Sequence, residues 1–248
     1  VVGVNSQIFS RTGGFMGLSF AIPIDVAMDV AEQLQTKGRV SRGWLGVLIQ
    51  DVTRELAESF GMERPSGALV AKVLPGGPAE QAGIQVGDIV LAFNETDVNR
   101  SSELPPIVGR TRVGKKVPVK ILRDGQSRTL FVTTAELPED DEIKVAAAKE
   151  PGTAEDNKLG LAVTDLSAEQ REQLDVPDHG VLVSEVSEGP ARRAGIRQGD
   201  VVLMLNNVKV TSSAEFKRLA ADLPAGKAVS ILVQRQGNPI FLALKTEE

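Results

Sequence analysis

Short runs of alternating apolar and polar residues, punctuated by glycines, fill most of this chain, and one order of runs occurs twice. WLGVLIQDV reads as a strand, and TRELAESFGM as a short helix that Thr53 is placed to cap. GALVAKVL is a strand, PAEQAG one helical turn closed by Gly83, and DIVLAFN a strand that ends in a turn. SSELPPIVG reads as a helix. Proline is tolerated only in a first helical turn, so Pro105–Pro106 place its start near Glu103 or Leu104. VPVKILRDG and RTLFVTT form a hairpin about Asp124–Gly125. LGLAVTDL, SAEQREQL, GVLVSEV, PARRAG, DVVLMLN, SSAEFKRLAADL, AVSILVQRQG and IFLALKT then give the same order.

Residues 77–125 align with 189–237 without a gap, and 19 of the 49 positions are identical. Among them are Gly83/Gly195, Gly87/Gly199, Asp88/Asp200 and Asn94/Asn206. A repeat of this length means that one folded module is used twice. The glycines are expected to shape turns, and Asp88 to cap backbone N–H groups.

The flanks differ. Val1–Ile24 reads as short strands broken by glycines, and Asp25 is the expected N-cap of a helix at about 25–37, with Lys37–Gly38 as its stop. The domains predicted are therefore 1–24, a connecting helix 25–40, module 1 at 41–135, a linker at 136–156 and module 2 at 157–248. The segment 136–157 holds eight acids and two bases against a net charge of −5 for the whole chain, so the modules themselves are nearly neutral. Charge repulsion predicts an extended linker and modules that move relative to each other. The absence of a basic stripe and the 4% aromatic content argue against a nucleic-acid partner. No apolar run approaches the length of a membrane span, and no signal peptide is evident in these residues. The chain has no cysteine, which excludes disulfides and thiol chemistry.

The candidate chemistry lies where each module begins. Leu45-Gly46-Val47 and Leu159-Gly160-Leu161 put a glycine between apolar residues at a strand entry. Successive free N–H groups there form a nest for an anion. The strand that follows, which includes Leu48 and Ile49, offers an edge to which an extended peptide adds as a further strand, its terminal carboxylate in the nest. Leu104, Ile107 and Val108 share one helix face, as do Phe216, Leu219 and Ala220. They either wall a pocket for the last, apolar side chain of a ligand or simply fill the core. Arg42 either reinforces carboxylate binding or is a surface residue. Trp44 is the single tryptophan and directly precedes the candidate nest.

LGV, GALV and GGPAEQAGIQVGDIVLAFN, with a closing hairpin, resemble a PDZ domain in the circularly permuted order of bacterial proteases. The pattern A-G-[IL]-x-x-G-D-x-[IV]-x-x-[FIL]-N occurs in both modules. VVGVNSQIF followed by a glycine loop and GLSFAIPID resembles the last strands of the chymotrypsin-like domain of HtrA/DegP proteases, and RGWLGVLIQDVT resembles the start of their first PDZ domain. The resemblance, closest to the MucD type, implies an α+β chain: two permuted PDZ domains, each a small antiparallel barrel or sandwich with two helices, after a remnant of a protease barrel. It also implies a periplasmic location, C-terminal peptides and unfolded or misfolded proteins as partners, self-association of the full-length protein, and no cofactor. Ser6, Gln7, Ile8, Phe9 and Ser10 would be the strand that lies along a substrate in such a protease.

The Ser motif of that family is absent, and so is its catalytic His and Asp pair. The one histidine, His179, falls in a turn before a strand. No catalytic residue or metal site is assigned, and the fragment is expected to be inactive by itself. Lacking the other strands of a barrel, residues 1–23 are expected to be disordered or abnormally packed unless another polypeptide supplies the missing half. Two functions fit: capture of client peptides, above all by module 1, and a role in assembly, above all for module 2, where Phe216 is suited to fill its own pocket.

Overall fold

The computed structural model describes residues 1–8, 19–138 and 159–246. It divides into two compact units, Val1–Arg42 and Gly43–Glu248.

In the first unit, β1 (Gly3–Ile8) and β2 (Ser19–Pro23) pair antiparallel, with a bulge between Asn5 and Gln7, and α1 spans Ile24–Lys37. The pairing covers 3–8 and 19–23; residues 9–18 lie outside the described residues. Two neighbours supply the order. The hairpin satisfies its own ladder, and the Ile24 N–H donates to the Val2 carbonyl at 3.2 Å, which ties helix to strand. Asp25 is not the N-cap. Pro23 occupies that position with no side-chain bond, and Asp25 sits in the first turn, where its charge favours the helix dipole. The stop is as expected, with Gly38 left-handed at φ +71°. Val4, Phe20, Ile22, Met28 and Leu34 are exposed.

Module 1 comprises β3 (Gly43–Trp44), β4 (Val47–Asp51), α2 (Arg54–Ser59), β5 (Ala68–Val73), α3 (Pro78–Gln81), β6 (Ile89–Phe93), β7 (Thr96–Asp97), α4 (Leu104–Arg110), β8 (Lys116–Arg123), β9 (Gln126–Thr133) and β10 (Ala135–Glu136). Its main sheet has the order β4-β5-β6-β8-β9, with β7 on β6, and β3 pairs with β10. Module 2 repeats the plan with β11 (Leu161–Asp165), α5 (Ala168–Gln173), β12 (Val181–Val186), α6 (Pro190–Arg193), β13 (Val201–Leu205), β14 (Val208–Lys209), α7 (Ser213–Ala221), β15 (Ala228–Arg235) and β16 (Asn238–Lys245). Its sheet runs β11-β12-β13-β15-β16.

The local signals act as the sequence suggests. Thr53 accepts from the Leu56 N–H to cap α2, and Ser167 forms a reciprocal capping box with Gln170 on α5. The β8–β9 turn takes Asp124 and Gly125 to φ +51° and +72°, as a two-residue hairpin requires. Asp88 and Asp200, each nearly fully buried, brace the repeated turns. Asp88 accepts from the Gln85 N–H at 2.8 Å and grips Arg123 through two bonds of 2.6 Å; Asp200 does the same with Arg197 N–H and Arg235. Arg123 and Arg235 also donate to the carbonyls of Gly83 and Gly195, and the paired carboxylate pushes each guanidinium pKa up.

Each module has its own core, one around Phe93, Leu104 and Ile121, the other around Leu161, Phe216 and Ile231. A third apolar cluster belongs to both. Val52, Leu56, Ala57, Phe60, Leu69, Ala71 and Ile89 of module 1 join Leu166, Val201, Leu203, Leu232 and Phe241 of module 2. Phe60 meets Phe241 edge to face at 5.8 Å. This shared core runs against the expectation that the modules move relative to each other. An acidic linker resists compaction of itself, but it does not oppose apolar burial between the domains it joins. The linker lies within 139–158, outside the described residues, apart from Glu136–Pro138.

Candidate functional site

In module 1 the edge to examine is that of β4. It pairs with β5 alone, so its second edge has no strand partner among the described residues. A bulge between Leu48 and Ile49 breaks the β4–β5 register, and β11 carries one at the matching step, Ala162/Val163. Bulges bend a strand and re-aim its side chains. Val47 and Ile49 pack at the rim of the module core and are half-buried. Leu48 lies between them on the outer face, 37% exposed and in register with Lys72.

The strand entry is held by its carbonyls. The Leu45 carbonyl accepts from Ala79 N–H at 2.9 Å and the Gly46 carbonyl from Leu74 N–H at 2.8 Å. The N–H groups of Leu45 and Gly46 have no acceptor among the described residues. Gly46 is left-handed at φ +75°, and a Cβ there would stand 3.1 Å from the Trp44 ring and 3.3 Å from Gly77 Cα. Glycine is required twice over, by dihedral and by space. The Trp44 indole thus lies directly against the loop.

The opposite wall is α4. A 3-10 turn at Ser101–Glu103 leads into it, and Pro105 and Pro106 occupy its first turn, as proline geometry demands. Its C-terminal end presses on Gly43, where an added Cβ would meet the Val108 carbonyl at 2.3 Å and that of Thr111 at 2.6 Å. At the other end, Asp51 on β4 accepts from Ser101 N–H at 3.1 Å and Oγ at 2.7 Å. Those bonds hold the Asp51 carboxyl below its ordinary pKa. Asp165 and Ser213 repeat the tie in module 2 at 2.7 and 2.8 Å.

The helix residues divide. Leu104 and Phe216 are buried at 1% and 0% exposure and belong to the cores, whereas Ile107 and Leu219 are half-buried at the rim. Leu45 and Leu159 are buried beneath their loops. In module 2, Gly160 repeats the left-handed turn at φ +72°, and Leu159 and Gly160 carbonyls accept from Ala191 and Ser187. There the likeness stops. Leu161 and Val163 are buried at 0% and 7%, where Val47 and Ile49 are half-buried; α7 packs on β11 and β13, and in module 1 the Ser101–Glu103 turn packs on β4 while α4 packs on β3 and β6. The residue facing the β11 bulge is Glu185, in register with Ala162, where module 1 has Lys72.

In the first unit Ser6, Gln7 and Ile8 lie on β1, and the Ser6 hydroxyl donates to the Phe20 carbonyl at 3.2 Å. Phe9 and Ser10 lie outside the described residues. Arg42 is exposed at the end of that unit. His179 bonds Asp178 at 3.2 Å, holding the Asp178 carboxyl below its usual range. Among the described residues no helix is long and apolar enough to cross a membrane. Sequence reasoning missed Gln50. Its carboxamide donates to the Phe241 carbonyl at 3.1 Å and accepts from the Phe241 N–H at 2.8 Å, fastening β4 to the outer edge of β16.

A PDZ-domain family model matches residues 43–134 and 157–246. The whole chain is 49% identical to a protein named "Probable periplasmic serine endoprotease DegP-like" from Pseudomonas putida strain W619, covering 52% of that protein. A relative of the same name from Marinomonas sp. strain MWYL1 is 49% identical over 99% of the chain and 51% of its own length. The chain thus spans about half the length of the curated relatives it matches. Among solved structures it is similar to the HtrA-type protease AlgW with tripeptide, with TM-score 0.51 and 37% identity over 56% of this chain and 46% of that one. AlgW with decapeptide matches at TM-score 0.50 and 37% identity, over 56% of this chain and 43% of that one.

Proposed function

The chain belongs to the PDZ-domain family and corresponds to about half of a DegP-like HtrA protease, and from that premise we propose that module 1 captures C-terminal or extended apolar segments of unfolded and misfolded proteins in the periplasm. The peptide adds as a strand to the free edge of β4. Its carboxylate takes the N–H groups of Leu45, Gly46 and Val47, beside Trp44, and its last apolar side chain enters between Val47, Ile49 and Ile107, over a floor of Leu45 and Leu104. Main-chain bonds give affinity, and the single apolar pocket gives preference for the last residue. The observation that carries this reading is the Gly46 N–H, left without an acceptor among the described residues at the head of a strand whose second edge has no strand partner there. The captured client is handed to a peptidase that the other half of the full-length protein supplies, in a self-associating assembly. Ser6, Gln7 and Ile8 on β1 belong to the strand that lies along the substrate there.

Module 2 serves assembly before client capture. The burial of Leu161, Val163 and Phe216 supports this; in this reading Phe216 fills the place where a ligand side chain would go. Leu159, Gly160 and Leu219 then hold the module together instead of binding a peptide.

Fluorescence of Trp44 tests the capture reading. Peptides that end in free Val, Leu or Phe should change the emission saturably, with dissociation constants in the micromolar range, and their C-terminal amides should not. Equal responses to acid and amide would remove the carboxylate nest from the mechanism.

A further inference from the structure

The strand that offers its free edge to a peptide is also bolted to the other module. β4 has two bonded side chains at its far end. Asp51 ties it to the start of α4, and Gln50 forks onto Phe241 of β16 with one donated and one accepted bond. That fork occupies backbone groups of β16 that point away from β15, so a side chain from module 1 completes the outer edge of the module 2 sheet. Immediately beyond Asp51 the chain enters the shared core. Val52 is 8% exposed, and Leu56, Ala57 and Phe60 follow on α2, packed with Leu232 and Phe241. Within five residues, then, the chain passes from the half-buried groove residue Ile49 to a side chain held by the other module. No hinge residue intervenes, since neither glycine nor proline occurs between Val47 and Phe60.

We infer that Gln50 is a positioning residue through which the docking of module 2 sets the peptide affinity of module 1. The inference rests on peptide capture at β4. With the fork made, β4 is fixed at both ends, at its entry by the Leu45 and Gly46 carbonyls and at its exit by Gln50 and Asp51. A peptide strand then adds to an edge that has already lost its freedom, which lowers the ordering cost of binding. With the fork broken, that cost returns to the binding step. Coupling between two sites is reciprocal, so a bound peptide in turn tightens the contact between modules.

The test compares three variants of the same chain. Gln50→Ala removes both bonds. Phe241→Ala loosens the contact from module 2, without touching the groove. Val229→Ala cuts a buried side chain in the module 2 core away from the contact, and controls for a merely destabilised neighbour. The readouts are Trp44 titration with an acid-ended peptide and hydrogen exchange over residues 47–51 of the free chain. Gln50→Ala and Phe241→Ala should each weaken the peptide about threefold to tenfold, the share of affinity that one or two net hydrogen bonds account for. Both should speed exchange on β4, and their double variant should lose little more than either alone. Val229→Ala should bind as the wild type does. Unchanged affinity in Gln50→Ala and Phe241→Ala, or an equal loss in Val229→Ala, overturns the inference. If the wild-type chain binds no acid-ended peptide, the capture reading has failed, and exchange decides the mechanical link separately: unchanged rates over 47–51 in Gln50→Ala sink it as well.

Discussion

In module 1, Val47 and Ile49 stay half-exposed beside a seven-residue helix, whereas in module 2 Leu161 and Val163 are buried against a nine-residue one. The turns that frame the two grooves are nearly the same. Gly46 and Gly160 share a left-handed conformation, and the Asp51–Ser101 tie is repeated by Asp165–Ser213. The helical segments are built differently. In module 1 a 3-10 turn that packs on β4 precedes the prolines of α4, while Ser212 caps α7 into one regular helix that packs on β11 and β13. A repeat can therefore keep every residue its turns need and still bury its first strand more deeply, because turn residues answer to backbone geometry and strand side chains to whatever packs across from them.

The largest effects test the part the modules share. Asp88→Ala and Asp200→Ala each strand a guanidinium that is mostly covered, along with the N–H of Gln85 or Arg197. Removing one partner of a buried, hydrogen-bonded pair costs about 3–5 kcal/mol. Urea unfolding followed by circular dichroism should register losses of that size for both, equal within about 1 kcal/mol. A strongly unequal pair would mean that the braces do different jobs and that the scaffolds are less alike than their geometry.

A second pair separates the grooves. Gly46→Ala places a methyl group at φ +75° and 3.1 Å from the Trp44 ring, on the loop proposed to receive the carboxylate. Peptide affinity should fall at least about tenfold, since the left-handed turn itself is disfavoured by roughly 1–2 kcal/mol for alanine and the nest distorts as it relaxes. Gly160→Ala meets comparable crowding, at 3.1 Å from the Glu188 carbonyl, and should lower stability by a similar amount while leaving the titration unchanged. Calorimetric titration of both variants checks this. A matching loss of binding in Gly160→Ala would make module 2 a second capture site.

Much of this architecture was legible in the sequence, and the reason is local. Gly83, Gly87, Asp88 and the Asp124–Gly125 turn are dictated by dihedrals within a few residues, and Thr53 caps its own helix. Packing across elements was less visible. The deeper burial of Leu161 and Val163 in module 2 depends on what packs against β11, which no local pattern fixes. The shared core did leave a trace. Ala68, Leu69, Val70 and Ala71 form an unbroken apolar run, as do Ile231, Leu232 and Val233, and all seven are buried. Continuous apolar strands are buried on both faces. A module standing alone needs only one face covered, so these runs signal a second partner. Gln50 carried no such trace, since a polar residue on a strand reads as solvated. Its role depends on Phe241, 191 positions away.

The smallest effect concerns charge near the loop. In register with the first turn of the edge strand, module 1 presents Lys72 and module 2 presents Glu185. At about 10 Å in water, a unit charge acts on a bound carboxylate with roughly 0.4 kcal/mol. Replacing Lys72 by glutamate changes the local charge by two units. Lys72→Glu should therefore weaken an acid-ended peptide about threefold to fourfold at low salt, and hardly at all near 1 M, where the Debye length is about 3 Å. An amide-ended peptide should not notice the substitution at any salt concentration. Titrating Trp44 across a salt series makes the comparison. If the loss persists undiminished at high salt, Lys72 touches the ligand or the loop directly. The contrast between the modules would then be one of contact, and the electrostatic account of it would fall.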